Sequence, residues 1–144
     1  MTKEKSKVTS GGCFCAAVRY EIKGQLRGVV NCHCSQCTKL NGNFGAHSKA
    51  LKSNITITRD KGLSWYKISD TAQRGFCREC GSGLFWDNIE QNTLGIIAGS
   101  LDSPTNLKTI GHIFVEDKSD FYEITDNIQQ FKGSSEGKLE GDFL

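Results

Sequence analysis

Seven cysteines in three short-spaced groups constrain this chain more than any other feature of its 144 residues. Cys13 and Cys15 form C-x-C, Cys32, Cys34 and Cys37 form C-x-C-x-x-C, and Cys77 and Cys80 form C-x-x-C. A complete disulfide framework leaves one thiol over, and the polar N-terminus lacks the apolar stretch of a secretory signal. Metal ligation explains the spacing better, because two thiolates one or two residues apart reach a single ion from one tight turn. Burial of cysteine as a small hydrophobe does not cluster all seven.

A closed tetrahedral Zn²⁺ site needs four ligands, so two pairs make one site. The expected partition is Cys13, Cys15, Cys77 and Cys80 as a structural zinc, leaving Cys32, Cys34 and Cys37 as a local triplet, hence two zinc ions per chain. Cys80-Gly81 resembles a zinc-knuckle turn, in which glycine lets backbone N–H groups point at sulfur. The triplet has three readings: a zinc with a free fourth position, a thiol redox switch, or a structural site completed by a histidine. His33 lies between two ligands and points away if both neighbours face the metal; His47 and His112 could approach from elsewhere in the fold, and each also reads as a core or rim residue.

The rest of the chain reads as mainly β. Residues 17–22 put Val18, Tyr20 and Ile22 on one face, and 55–58 alternate Ile with Thr. Segments 63–68, 84–86, 94–98, 110–115 and 121–124 have similar length and chemistry, separated by Gly, Asn, Asp and Ser. Only Ser35–Asn41 and residues 126–131 offer helical turns. The expected architecture is one compact domain of short antiparallel strands around a structural zinc. Its body covers residues 12–131, between a flexible lead at 1–11 and a flexible, glycine-rich tail at 132–144.

Several function classes drop out. A formal charge of +2 gives no nucleic-acid footprint, and no apolar run approaches the ~18 residues that span a bilayer. Neither a glycine-rich phosphate fingerprint nor a Gly-x-Ser-x-Gly elbow occurs. The chain is expected to be soluble and cytoplasmic. An open zinc with three thiolates is a weak Lewis acid, poor at activating water, but it can capture a substrate thiolate near an electrophile. That chemistry makes or breaks carbon–sulfur bonds.

Gly11-Gly12-Cys13-Phe14-Cys15-Ala16-Ala17-Val18-Arg19-Tyr20 resembles the G-G-C-x-C-G-A-V-R-Y opening of the glutathione-dependent formaldehyde-activating enzyme (GFA) family, which includes centromere protein V-like domains. Similar blocks follow at Cys32-His33-Cys34-Ser35-Gln36-Cys37-Thr38-Lys39, at Arg74-Gly75-Phe76-Cys77-Arg78-Glu79-Cys80-Gly81-Ser82, and at Ala98-Gly99-Ser100-Leu101-Asp102 with His112-Ile113-Phe114-Val115. The resemblance implies a mainly β fold, a structural zinc on the outer pairs and a catalytic zinc on Cys32, Cys34 and Cys37. It also implies a carbon–sulfur lyase joining a glutathione-like thiol to a small aldehyde such as formaldehyde. Two positions depart from the pattern: Ala16 stands where glycine is frequent, and Thr38 where arginine is. Lys39, Lys49 and Arg74 are candidates to hold a carboxylate, and Phe44 and Phe76 to wall the open site. Trp65, Trp86, Phe85 and Phe114 are expected in the core. The competing class is a non-catalytic, zinc-stabilised protein-binding module on the same scaffold.

Overall fold

The structure, a computed structural model, describes residues 7–144. Its strands are β1 (Val8–Gly12), β2 (Arg19–Lys23), β3 (Val29–Cys32), β4 (Gly45–Leu51), β5 (Ile55–Arg59), β6 (Leu63–Lys67), β7 (Ala72–Cys77), β8 (Gly83–Asn88), β9 (Thr93–Ile97) and β10 (Thr109–Ile113). A short α-helix, α1 (Ser35–Asn41), joins β3 to β4. A small sheet runs β1-β2-β5 and a large one β10-β3-β4-β9-β8-β7-β6. Every pairing is antiparallel except β10 with β3. The fold is therefore mainly β, as its alternating segments predict, and none of its described helices is long and apolar enough to cross a membrane.

The period-2 reading of 17–22 corresponds to β2 and the turn before it: Val18, Tyr20 and Ile22 are fully buried. They meet Ala50, Leu84, Phe85 and Ile96 from the large sheet, so the core lies between the two sheets. The Tyr20 and Phe85 rings are 5.1 Å apart, and the Tyr20 hydroxyl donates to Ser100 Oγ at 2.6 Å, which removes the cost of burying that polar tip. Of the four aromatics expected inside, only Phe85 is enclosed. Trp65 is 40% exposed and stacks on Phe85 from the edge strand β6.

Four strands escape the sequence reading: β1, β3, β4 and β7. Segments such as Gly45–Leu51 carry glycine, histidine, serine and lysine rather than alternating β-branched residues, and extend because both neighbours supply ladder partners. Conversely, residues 121–124 are not a strand and 126–131 are not a helix. Their polar groups have other partners: Asp126 Oδ1 accepts from the Ile128 N–H, and the Gln129 amide donates to Ile110 O at 2.8 Å.

Both ends of the described chain make contacts with the body. Residues 1–6 of the lead lie outside the described part, but 8–11 belong to β1, paired from Val8–Lys23 to Gly12–Arg19. Ladder bonds along β2 hold what composition alone marks as loose. The segment 132–144 is likewise docked: Leu139 is buried, and Gln129 clasps the backbone of Glu140 with two hydrogen bonds of 2.9 and 3.1 Å.

Candidate metal centres

The turn between β1 and β2 presents Cys13 and Cys15, and the turn between β7 and β8 presents Cys77 and Cys80. All four Sγ atoms lie within 4.8 Å of one another. The Cys13–Cys15 and Cys15–Cys77 separations are both 3.8 Å. A tetrahedron with metal–sulfur bonds of about 2.3 Å has edges of about 3.8 Å, so the quartet suits one zinc-sized ion. Backbone N–H groups turn toward these sulfurs: Val18 donates to Cys13 at 3.2 Å and Glu79 to Cys77 at 3.3 Å. Gly81, at φ +83°, donates its N–H to Cys77 O at 2.7 Å, the tight reversal expected of the knuckle. Ser82 hydrogen-bonds the Cys80 thiol and pulls its pKa down to about 5.

The structure brings the second group together as well, with the sulfurs of Cys32, Cys34 and Cys37 also within 4.8 Å. Cys32 ends β3, and Cys34 caps α1, its sulfur accepting the Cys37 N–H at 3.3 Å. Thr38 donates its hydroxyl to Cys34 O at 3.1 Å and braces the same turn. A hydrogen bond from the Cys37 thiol lowers Cys32 to about 6 against the effect of burial, while the same bond and burial drive Cys37 far upward. Three thiols this close do not all ionise without a cation, which is what a metal supplies.

Two glycines press on these sulfurs. A Cβ on Gly62 would stand 2.6 Å from Cys77 Sγ, and one on Gly45 would stand 3.2 Å from Cys37 Sγ. Gly62, in the turn before β6, and Gly45, at the start of β4, come this close to the cysteine clusters because neither carries a side chain.

The two clusters differ in what surrounds them. The quartet is closed by its own four sulfurs, whereas all three triplet cysteines line a cavity of about 440 Å³. Its apolar walls include Val30, Trp86, Ile113 and Phe114, and its cations are Arg27 and Lys49. Trp86 and Phe114 thus wall the cavity instead of filling the core. Phe44 and Phe76 do not line it: Phe44 packs on His33 and Tyr122, and Phe76 lies under the Arg74 guanidinium at 5.2 Å. Lys39 is exposed on α1. Of the three candidate carboxylate holders, Lys49 alone reaches this cavity; Arg27, with no motif to mark it, was not legible.

The histidines do not complete the triplet. His33 turns its Nε2 to His112 Nδ1 at 3.0 Å, and His112 Nε2 meets both Asp126 carboxylate oxygens at 3.1 Å. His47 lines the cavity and donates Nδ1–H to Gly45 O at 3.1 Å; burial pushes its pKa down to about 4.

The glutathione-dependent formaldehyde-activating enzyme family profile matches residues 8–117. An uncharacterized lyase of Schizosaccharomyces pombe is 25% identical over 123 residues, 84% of this chain and 88% of that one. The crystal structure of a Rhodobacter sphaeroides protein is similar in fold, with a TM-score of 0.56 at 23% identity, covering 84% of this chain and 98% of that one.

Proposed function

The chain belongs to the glutathione-dependent formaldehyde-activating enzyme family, and on that premise we propose that it is a zinc-dependent carbon–sulfur lyase acting on the adduct of a glutathione-like thiol with a small aldehyde such as formaldehyde. The lyase assignment of the Schizosaccharomyces pombe relative supports the reaction class. Cys13, Cys15, Cys77 and Cys80 hold a structural zinc; Cys32, Cys34 and Cys37 hold the catalytic one. The observation that carries this reading is the contrast between a quartet that supplies all four corners of a tetrahedron and a triplet of three sulfurs that lines a cavity. A structural ion needs no access, and a reacting thiol does.

Zinc on the triplet supplies a place where a substrate thiol is deprotonated at neutral pH. The protein's own groups do the rest. Cys34, fixed as the cap of α1, and Cys32, at the end of β3, set which side of the triplet faces the cavity. Trp86, Phe114 and Ile113 exclude water beside it. In the forward step the thiol proton leaves to solvent and the sulfur lone pair forms the C–S bond to the aldehyde carbon. The carbonyl π pair moves to oxygen, which takes a proton from water; the reverse is the lyase direction. The substrates are small molecules, and seven free thiols suit the reducing cytoplasm.

A native mass spectrum of chelator-free protein, with and without glutathione, tests the reading. Two zinc ions, a glutathione adduct lost in Cys34→Ser, and turnover with formaldehyde support it. One zinc, no adduct and no turnover replace it with the non-catalytic binding module.

A further inference from the structure

Arg27 and Lys49 both line the triplet cavity, and the carboxylate that contacts them both, Asp142, lies outside that lining and beyond the family-matched region. The Arg27 side chain is 11% exposed. Its Nη2 donates to His47 O at 2.9 Å and its Nε to Gly28 O at 3.1 Å, which leaves Nη1 turned to Asp142 Oδ2 at 3.9 Å. Lys49 Nζ lies 3.5 Å from the same oxygen. The two cations are held in register, because the Arg27 N–H donates to Lys49 O at 3.0 Å and Ser48 Oγ donates to Arg27 O at 2.6 Å. β4 therefore supplies Lys49 directly and positions Arg27 beside it.

Both contacts to Asp142 are longer than the ~2.7–2.9 Å of a charge-assisted hydrogen bond. The carboxylate neutralises the pair without saturating it. Its other oxygen, Oδ1, accepts the Leu144 N–H at 3.2 Å, a local turn contact. Two half-buried cations favour an anion beside them, and this one sits on a segment held mainly by the Gln129 clasp and Leu139.

We propose that Arg27 and Lys49 form a carboxylate-binding subsite of the triplet cavity, and that Asp142 is an internal counter-anion which competes from outside the cavity with the carboxylate of an incoming ligand. The proposal rests on the thiol-binding reading above for the ligand's other end. The cavity then recognises a molecule with a thiol at one end and a carboxylate at the other, separated by a stretch that packs along Trp86 and Phe114. The segment beyond residue 139 becomes a competitor, so carboxylate-bearing ligands bind against it while neutral thiols do not.

Calorimetric titration of the zinc-loaded protein tests this with three probes: glutathione, S-methylglutathione, whose sulfur is blocked, and 2-mercaptoethanol, which has no carboxylate. Lys49→Met is expected to weaken both glutathione probes about tenfold, and Asp142→Asn to tighten both by a similar factor, with 2-mercaptoethanol unchanged in each variant. Equal shifts for all three probes, no shift for any, or no binding of S-methylglutathione to wild type and Asp142→Asn alike overturns the subsite. If S-methylglutathione follows the variants but glutathione binds no tighter than it does, the subsite stands and thiol capture fails. Glutathione binding that ignores both variants leaves thiol capture standing and removes the subsite.

Discussion

His33 and His112, both fully buried, share a hydrogen bond of 3.0 Å whose direction is set from outside by Asp126. The carboxylate can only accept, so a neutral His112 donates from Nε2 and accepts at Nδ1 from His33 Nε2–H. His33 Nδ1 is then a bare lone pair, and it has no partner among the described residues. Burial keeps His33 below its ordinary pKa, in agreement with a neutral ring. The chain of bonds fixes the residue between Cys32 and Cys34, and so the directions of both thiols.

Replacing His112 by Leu strands the His33 donor in a buried site. The expected cost is about 1–3 kcal/mol in denaturant unfolding. Nitrogen NMR of the wild type should report His112 protonated at Nε2 and His33 at Nε2; the opposite tautomer on either ring breaks the relay.

The quartet ties the β1–β2 turn to the β7–β8 turn across more than sixty residues of chain, as the 62-residue separation of Cys15 and Cys77 indicates. Structural zinc contributes roughly 10 kcal/mol or more in small metallo-domains. Strong chelation is expected to unfold the protein, and Cys77→Ser to lower soluble yield and melting temperature more than Cys34→Ser. Equal losses in the two variants contradict the division of labour.

Gly62→Ala places a methyl group 2.6 Å from the Cys77 sulfur and 2.9 Å from Ala17 Cβ. Overpacking of this kind costs about 1–3 kcal/mol, and here it moves a ligand sulfur. Zinc release to a chromophoric chelator should be faster than in wild type for one equivalent of metal. Unchanged release sinks the idea that the turn before β6 must approach the quartet this closely.

Ala16 has φ +67°, a region that glycine occupies freely and that costs a side chain energy. Ala16→Gly is expected to stabilise the protein by about 0.5–1 kcal/mol, measured by chemical denaturation at saturating zinc. A loss of stability means that the methyl group makes contacts worth more than the strain.

His47 gives the fold an acid liability. Burial, assisted by the nearby Arg27 charge and opposed by the bond to Gly45, holds its pKa near 4 when folded, below its ordinary value of 6.5. Above pH ~6.5 neither state binds the proton and the residue is silent. Below that, the unfolded chain takes the proton first, so stability falls as pH drops toward 4 and levels off beneath it. The loss amounts to about 2 kcal/mol at pH 5. His47→Gln should flatten the pH dependence by that amount between pH 7 and 5, while proton competition at the cysteines remains common to both proteins. Parallel curves refute it.

What the sequence by itself determined is local. Ligand pairs one or two residues apart must share a turn, so the grouping of Cys13, Cys15, Cys77 and Cys80 apart from Cys32, Cys34 and Cys37 was legible before any fold. The inward face of β2 was legible too, because side chains alternate regardless of context. Tertiary structure alone decided the rest. Arg27, Lys49 and Asp142 converge from distant parts of the chain, and the His33–His112 bond joins residues 79 apart. Neither arrangement leaves a period or spacing in the sequence. The same holds for β1 and for the segment beyond residue 131, whose polar, glycine-rich composition reads as loose. Their order comes from ladder bonds to β2, from Gln129 and from two half-buried cations, partners that exist only once the sheets have formed.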